Sequence, residues 1–396
     1  MSNTQKKNVP ELRFPGFEGE YSLDIFGNLA TNKSDKFNPQ NENASIDIEL
    51  DCIEQNTGRL IKIYNSKEFS SQKNKFNPQN VLYGKLRPYL NKYYFTKKSG
   101  VCSSEIWVLK STKEDKLLNL FLYYFIQTKR YSDVASKSAG SKMPRADWGL
   151  IENIRVYFPE LCEQQKIGEF FSKLDRQIEL EEQKLELLQQ QKKCYMQKIF
   201  SQELRFKDDN GNDYPEWEEK KLGELSQIVR GASPRPIKDP KWFNKESDIG
   251  WLRISDVTDQ NGKIYHLEQK LSIEGQEKTR VLLTTHLLLS IAASIGKPVM
   301  NFVKTGVHDG FLIFLNPKFN IFFMYYWLDY FKEKWSKYGQ PGSQVNLNSE
   351  IVKSQTLNMP SNHEQEKVGL FFSRNEKLIE LQQEKIMYLK RRKQAL

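Results

Sequence analysis

The sequence lacks several features that mark large classes of protein. No run approaches the roughly 20 apolar residues that span a bilayer, and residues 1–10 contain no apolar signal core. The four cysteines are scattered and form no Cys-x-x-Cys pair, which argues against a zinc site and against a disulfide framework. These absences favour a soluble cytoplasmic protein with reduced thiols.

Motifs for catalysis on DNA are also missing. Asn358–Ser361 lacks the second proline and the aromatic residue of an amino-methyltransferase loop, and Ser294–Pro298 lacks the first glycine and the Ser/Thr of a phosphate-binding loop. The histidines have no metal-ligand spacing, and no lysine follows Asp309 or Glu105 at the spacing of a metal-dependent nuclease. We therefore expect this chain to have no catalytic residues, no metal and no cofactor of its own.

The charge and the length of the chain point to a large, folded, basic protein. Sixty Lys and Arg residues against fifty Asp and Glu residues give a formal charge of +10, which suits a polyanionic partner. Hydrophobic residues make up 38% of the chain and aromatic residues 12%, so there is ample material for folded cores. A chain of 396 residues accommodates two ordinary domains and a spacer.

The chain contains an internal repeat. The segment from Pro159 matches the segment from Pro360 without gaps at a constant offset of 201, and 14 of 35 positions are identical. A Leu-Arg-Phe motif at residues 12–14 recurs at residues 204–206. The whole chain is thus a duplication, in which each half runs from this motif through a variable region to a long helix.

The variable regions, 22–158 and 218–359, resemble each other only faintly. Each has the pattern of short strands and turns followed by an apolar helix, predicted over 117–131 and over 321–335. The predicted fold class is α+β, with two mixed α/β domains that share a fold and differ in their surfaces. The predicted boundaries are 1–158 and 204–359 for these domains, and 159–203 and 360–396 for the helices.

Apolar residues in both repeated segments follow the spacing of a coiled-coil seam. The same two seam positions are polar in both copies, Glu181 with Gln382 and Lys192 with Lys393, which is typical of residues that fix register. We predict an antiparallel pair of helices that separates the two domains and turns them in opposite directions, as half-site readers require. The alternative is a coiled coil that only dimerises the protein. The apolar seam residues are Ile167, Phe171, Leu174, Ile178, Leu185, Leu188, Val368, Phe372, Ile379, Ile386 and Leu389.

Basic and polar residues cluster in the predicted turns of both variable regions. Arg and Lys bind guanine edges or phosphates, and Asn bridges an adenine edge. Any one of these residues is as readily a solvated surface group, but as a set they indicate DNA binding. In the first region the candidates are Lys85, Arg87, Tyr89, Asn91, Lys92, Ser141, Lys142 and Arg145. In the second they are Arg230, Ser233, Arg235, Lys238, Arg253, Asp256, Lys297, Gln340, Ser343, Gln344 and Asn346.

Several of these stretches together resemble one known family over essentially the full length. The repeated helix motif at Glu163–Asp175 and Glu364–Glu376, the Leu-Arg-Phe motif, and the stretches Gly84–Lys92, Gly231–Pro236 and Trp251–Asp256 are similar to the specificity subunit of type I restriction-modification systems. Taken together these matches are specific, whereas no single one of them would be.

The resemblance implies a non-catalytic DNA reader. Two target-recognition domains would each read one half of an asymmetric bipartite site in double-stranded DNA, and the paired helices would measure the spacer. Two methyltransferase subunits would dock along the helices and carry S-adenosylmethionine, and motor-nuclease subunits would join for cleavage. The residues alone also leave open a stand-alone sequence-specific DNA-binding regulator and a coiled-coil scaffold with no role on DNA.

Overall fold

The computed structural model divides the chain into two compact units. One comprises Met1–Glu181 with Ile386–Leu396, and the other comprises Glu182–Lys385. Within the described ranges, no helix combines the length and the apolar character that crossing a membrane would require. The residues that the structure describes are 8–43, 45–137, 142–291, 295–338 and 347–395.

The first unit builds its variable domain from short strands and short helices. Its strands are β1 (Ser22–Ile25), β2 (Ala30–Thr31), β3 (Lys36–Phe37), β4 (Ile46–Ile48), β5 (Tyr64–Asn65), β6 (Lys73–Phe76), β7 (Val81–Gly84), β8 (Tyr93–Phe95), β9 (Gly100–Cys102), β10 (Ile106–Ser111) and β11 (Arg155–Phe158). Its helices are α1 (Phe26–Leu29), α2 (Asn119–Phe125), α3 (Lys129–Ala135), α4 (Trp148–Ile151) and the beginning of α5 (Leu161–Phe200), with 3-10 turns at Leu50–Cys52, Ser66–Glu68 and Pro88–Leu90.

Two sheets and one strand pair organise this domain. An antiparallel sheet has the order β2-β10-β7-β8. A second sheet has the order β3-β6-β9-β4-β5, in which β9 is antiparallel to β6 and parallel to β4. β1 and β11 pair antiparallel, with Ser22 opposite Phe158. The chain therefore leaves the domain beside the point where it enters and leads directly into α5.

The second unit contains the remaining strands and helices. Its strands are β12 (Glu218–Lys221), β13 (Gln227–Arg230), β14 (Gly250–Leu252), β15 (Lys263–Ile264), β16 (Arg280–Leu282), β17 (Leu287–Ser290), β18 (Pro298–Asn301), β19 (Thr305–Val307), β20 (Phe311–Leu315) and β21 (Thr356–Met359). Its helices are α6 (Leu222–Leu225), α7 (Ile254–Asp259), α8 (Ile273–Glu277), α9 (Ile321–Phe331), α10 (Ser349–Ser354) and most of α11 (Asn362–Ala395), with 3-10 turns at Pro240–Trp242 and Lys332–Tyr338.

The second domain repeats the topology of the first. The order β13-β20-β17-β18 corresponds to β2-β10-β7-β8 and is antiparallel throughout, with β15 added parallel to β18. β19 lies between an antiparallel neighbour, β16, and a parallel neighbour, β14, as β9 does in the first domain. β12 and β21 pair as β1 and β11 do. The predicted α+β class with two domains of one fold is confirmed.

The helix predicted over 117–131 is broken in two. α2 ends at Phe125 and α3 begins at Lys129. Between them the Thr128 hydroxyl donates to the carbonyl of Phe125 at 2.7 Å. Such a side-chain bond to the backbone competes with the helical hydrogen bonds. The break directs Tyr131, which is fully buried, onto the ring of Phe26 with a centroid distance of 5.7 Å.

Each unit contains a pair of antiparallel helical segments. In the first unit Leu174 and Ile178 of α5 pack with Leu389 near the end of α11. In the second unit the rings of Tyr195 on α5 and Phe371 near the start of α11 lie 5.2 Å apart. Early residues of one helix thus meet late residues of the other, which confirms the predicted antiparallel pairing.

The predicted seam residues differ in burial along the helices. Those that are buried are Leu174, Ile178, Val368, Phe372, Ile386 and Leu389, and those that are partly buried are Ile167, Phe171, Leu185, Leu188 and Ile379. The two polar positions of the seam are covered as well, since Gln382 is buried and Glu181, Lys192 and Lys393 are partly buried.

Candidate nucleic-acid interface

In the first unit, two of the predicted contact segments lie side by side. The backbone N–H of Arg87 donates to the carbonyl of Pro144 at 2.7 Å, and the N–H of Ala146 donates to the carbonyl of Lys85 at 2.8 Å. Both segments are therefore parts of one surface, to which Lys85, Arg87 and Arg145 contribute their cationic groups. The sequence separates these residues by about 60 positions, and backbone hydrogen bonds bring them together.

A carboxylate orients one of these cations. Glu105 immediately precedes β10, and Nε and Nη2 of Arg145 donate to its two oxygens at 3.0 and 3.1 Å. The hydrogen bond from Arg145 lowers the pKa of the Glu105 carboxyl. Bidentate pairs of this kind constrain geometry as well as contributing energy. Arg145 is therefore exposed and, at the same time, held in one orientation.

The other predicted contact residues of the first unit that the structure describes are of two kinds, side chains that stabilise a loop and side chains that are exposed. The Lys92 ammonium donates to the carbonyl of Leu50 at 2.6 Å, and Asn91 donates to a second asparagine side chain at 3.1 Å. Both side chains thus stabilise the loop between β7 and β8. Tyr89 and Lys142, by contrast, are exposed on the surface.

In the second unit, Asp309 binds three of the predicted residues, two through its carboxylate and one through its backbone carbonyl. Ser233 donates to Oδ1 of Asp309 at 2.9 Å, and Nη2 of Arg235 donates to Oδ2 at 2.7 Å. Nε of Arg230 donates to the backbone carbonyl of the same residue at 2.6 Å. Burial by itself would raise the pKa of the Asp309 carboxyl, but the Ser233 hydrogen bond and the nearby positive groups keep it below its usual value.

Two further cations of the second unit line a cavity of about 530 Å³. Lys238 and Arg253 share its walls with the rings of Trp251 and His308. Arg253 is oriented by a bidentate pair with Asp256, through Nε at 3.2 Å and Nη2 at 2.9 Å. This basic cavity with aromatic walls lies beside Asp309 and the residues that it binds, because His308, which lines the cavity, precedes Asp309 in the chain.

Lys297 lies apart from these groups. Its ammonium donates to the carbonyl of Val257 at 3.2 Å, and burial lowers the pKa of the Lys297 side chain. This hydrogen bond supports α7, and a contact of Lys297 with DNA stays a prediction. The predicted residues Ser141, Gln340, Ser343, Gln344 and Asn346 lie outside the described residues.

The role of the two carboxylates, Glu105 and Asp309, was not predicted from the sequence. Glu105 precedes β10 and Asp309 precedes β20, and these strands occupy equivalent places in the two sheets. Each carboxylate holds an arginine that comes from elsewhere in the chain, Arg145 in one case and Arg235 in the other. The available signal was an acidic residue just ahead of an apolar strand in both halves.

The repeated Leu-Arg-Phe motif attaches each half to its own long helix. Arg13 donates to both oxygens of Glu163 at 2.9 and 2.7 Å, and Arg205 donates to both oxygens of Glu364 at 3.2 and 2.9 Å. These glutamates are 1% and 0% exposed. The Trp217 indole donates to Glu364 as well, at 3.0 Å. A guanidinium is the group that pairs both oxygens of a buried carboxylate.

The next residues of the helix motif hold the apolar helix of each domain. Gln164 accepts from the N–H of Leu118 at 2.9 Å beside the start of α2, and Gln365 accepts from the N–H of Asn320 at 2.8 Å at the start of α9. Gly168 leaves room for α2, because a Cβ at this position would lie 2.7 Å from a leucine side chain. The repeated motif is therefore a docking site for the domain and not only a coiled-coil seam.

Comparisons with known proteins agree with this arrangement. Residues 20–190 and 214–391 each match the family described as the type I restriction modification DNA specificity domain. The type I restriction enzyme MjaVIII specificity subunit of Methanocaldococcus jannaschii is 25% identical over 322 residues, which span 76% of this chain and 73% of that protein.

Two solved structures show the same fold. A chain from a study of complex assembly and conformational transition of the type I R-M system superposes with a TM-score of 0.60 at 17% identity, covering 98% of this chain and 97% of that one. The type I restriction-modification S subunit from M. genitalium gives a TM-score of 0.57 at 13% identity, covering 99% and 97%. The chain therefore belongs to the type I restriction-modification DNA specificity family and carries two copies of its domain.

Proposed function

We propose that this chain is the non-catalytic subunit that gives a type I restriction-modification complex its sequence specificity, with each variable domain reading one half of a bipartite DNA target. The observation that carries the proposal is a duplicated topology whose two copies present different sets of basic side chains. In this assignment the recognition domains are 1–158 and 204–359. The segments 159–203 and 360–396 are the shared helices that set the spacer between the half-sites.

The orientation of the arginines supports base reading in addition to phosphate binding. A guanidinium that is held by a carboxylate loses less side-chain entropy when it binds, and arginine pairs with the O6 and N7 atoms of guanine. Arg145 and Arg235 are both exposed and both held in this way. Because the carboxylates sit at equivalent strands but hold arginines from different segments, the two domains would present their arginines from different places and so read different half-sites.

The outer faces of the helices support binding of one partner to each repeat. Leu180 and Leu381 are both 48% exposed and occupy equivalent positions, and Leu187 and Tyr388, seven residues further along, are both 64% exposed. Apolar side chains that are exposed at the same positions of both repeats are suited to a contact with a protein partner. We assign this face to two methyltransferase subunits, which would supply S-adenosylmethionine and the methylating residues, with motor-nuclease subunits joining for cleavage. The cytoplasm is where this complex would meet its DNA.

Exchanging the first recognition domain tests the proposal. Residues 22–158 would be replaced by the corresponding region of another family member, and the purified complex with its methyltransferase partner would methylate genomic DNA. We expect one half of the methylated motif to change and the other half to persist. An unchanged motif would rule the proposal out. Exchange of 218–359 is the matched control, because it should change the opposite half.

Arg87 provides a test of a single contact. Arg87→Ala should weaken binding to DNA with the intact first half-site by about 1–3 kcal/mol if the guanidinium reads a base, and should relax the preference at that position. Arg87→Lys separates the two kinds of contact, because lysine keeps the charge and loses the planar fork. The measurement is a set of binding titrations at several salt concentrations.

The salt dependence distinguishes the outcomes for Arg87. An equal loss on every sequence, with a shallower dependence on salt, would make Arg87 a phosphate contact. The matched control is Lys98→Ala, which removes an exposed cation from the turn between β8 and β9, outside the predicted surface. If Arg87→Ala bound every DNA sequence as tightly as the wild type, Arg87 would not be part of the interface.

A further inference from the structure

Each unit contains the same cluster of side chains where its domain meets the long helices. The first member is a tyrosine from the apolar helix of the domain, Tyr124 on α2 and Tyr326 on α9. Its ring packs against a seam phenylalanine of the long helix, with centroid distances of 5.3 Å to Phe171 and 5.3 Å to Phe372. The two phenylalanines are equivalent in the repeat, being 201 residues apart.

The tyrosine hydroxyl donates to an acidic residue of the long helix, one turn after the seam phenylalanine. Tyr124 donates to Asp175 at 3.1 Å, and Tyr326 donates to Glu376 at 2.7 Å. A serine of the same helix also lies within hydrogen-bond distance of each hydroxyl, at 3.1 Å in the first unit and 3.4 Å in the second. The acids and the serines are again equivalent positions of the repeat.

A lysine from the other long helix completes the cluster. Lys393 pairs with Asp175 at 2.6 Å, and Lys192 pairs with Glu376 at 3.4 Å. The same ammonium groups lie 5.8 and 5.3 Å from the centroids of the tyrosine rings. These lysines are the polar seam residues that the heptad pattern singled out, and the structure shows that each one contacts the other helix and a domain at once.

The two clusters differ in one additional contact. In the first unit the Lys393 ammonium also donates to Gln127 at 3.1 Å. In the second unit Lys263, at the start of β15, binds Glu376 as a second cation. Burial by itself would raise the pKa of the Glu376 carboxyl, but the two lysines outweigh burial and lower it. The carboxylate is therefore ionised and bound from three elements at neutral pH.

Stability alone does not account for these residues. Replacing a buried ion pair by apolar residues of similar size is often neutral or stabilising, and a leucine at each lysine position would complete the apolar seam. Polar networks with several partners instead select one arrangement, because any other arrangement leaves a buried charge unpaired. A cluster that binds domain, first helix and second helix together selects the orientation of the domain on its helix pair.

We propose that the duplicated tyrosine–acid–lysine cluster is the joint that holds each recognition domain in a single orientation on the helices, and that Asp175 and Glu376 are positioning residues for the spacer length that the protein accepts. The inference rests on the proposed function, since spacer length has meaning only for a bipartite reader. Neither acid is assigned a contact with DNA, because each carboxylate is already bound by a tyrosine hydroxyl and a lysine, and the side chains are only 24% and 10% exposed.

Spacer preference in methylation provides the test. The full-length chain with its methyltransferase partner would methylate DNA that carries both half-sites at the native spacer and at spacers one base pair shorter and longer. Glu376→Gln and Tyr326→Phe should each reduce the preference for the native spacer by at least tenfold and leave the bases read in the half-sites unchanged. The matched control is Glu350→Gln, which neutralises an ion-paired glutamate that is exposed on α10.

The outcomes separate this inference from the proposed function. A spacer preference within twofold of the wild type in the folded variants would overturn the inference alone, and so would a uniform loss of methylation at all three spacers. A wild-type complex that methylates no bipartite site would overturn the proposed function instead. Tyr326→Phe removes a single oxygen from a packed ring, so it decides the question if Glu376→Gln does not fold.

Discussion

Replacing Arg205 with alanine is expected to lower the free energy of unfolding of the second unit by about 3 kcal/mol. The change leaves the Glu364 carboxylate, which is 0% exposed, without its bidentate partner. Breaking a buried ion pair from one side costs about 3–5 kcal/mol, and we take the low end because Arg205 is 19% exposed and water can reach the vacated space. In the wild type the Glu364 carboxylate accepts from two guanidinium nitrogens of Arg205 and from the Trp217 indole, and only the indole remains in the variant.

Denaturant titration of the full-length protein measures this loss. The two units need not unfold together, so the transition should be followed by a probe within residues 182–385. Arg205→Lys should show an intermediate loss, because lysine keeps the charge and cannot bind both oxygens. The matched control is Lys207→Ala, which removes an exposed cation two residues away and should leave the transition in place. Equal stability of Arg205→Ala and wild type would contradict the proposed role of the Leu-Arg-Phe motif.

Phe372→Ala is expected to lower the free energy of unfolding of the second unit by about 3–5 kcal/mol, the range for removing a phenylalanine side chain from a packed core. Phe372 is 0% exposed, and its ring lies 5.8 Å from that of Phe200 and 5.3 Å from that of Tyr326. One substitution therefore opens a cavity among α5, α9 and α11. The same change removes the surface that supports Tyr326, so DNA binding through the second domain should weaken along with stability.

Two further variants calibrate the Phe372 result in the same denaturant titration. Phe372→Leu should lose less, because leucine fills most of the space. Leu370→Ala, two residues away on the same helix but 51% exposed, should change the free energy of unfolding by no more than about 0.5 kcal/mol. If the alanine variants at 370 and 372 lost equal stability, the burial of Phe372 would not be the cause.

Local patterns predicted the repeat and the two long helices well. The heptad spacing depends on residues close together in the chain, and the repeat is found by matching the chain with itself at an offset of 201; α5 and α11 follow both patterns closely. The break between α2 and α3 was not predicted, because the apolar pattern does not show the hydrogen bond of the Thr128 hydroxyl to the Phe125 carbonyl, or the contact of Tyr131 with Phe26 about a hundred positions away. An apolar run of that length has the same periodicity whether or not it is interrupted.

The candidate contact residues also combine what the sequence predicts with what only the tertiary structure shows. Their chemical types were evident in the sequence, but their grouping was not. Arg145 joins Arg87 only through strand and loop pairing, and Arg235 is oriented only by Asp309, which lies 74 positions away. In the sequence, Glu105 and Asp309 are acidic residues without the lysine that a metal-dependent nuclease would place after them. In the structure each one holds an arginine.

The sequence by itself determined the duplication, the α+β class and the basic character of the turns, because internal matches, periodicity and composition are evident without knowing which residues meet in space. The antiparallel orientation of the helices followed from their equivalent places in the repeat. Tertiary structure alone decided which cations share a surface, which carboxylates orient them, and that Lys192 and Lys393 contact the domains as well as the opposite helix. Hydrogen bonds and ion pairs depend on distances of a few ångströms between residues far apart in the chain, and no local pattern records those distances.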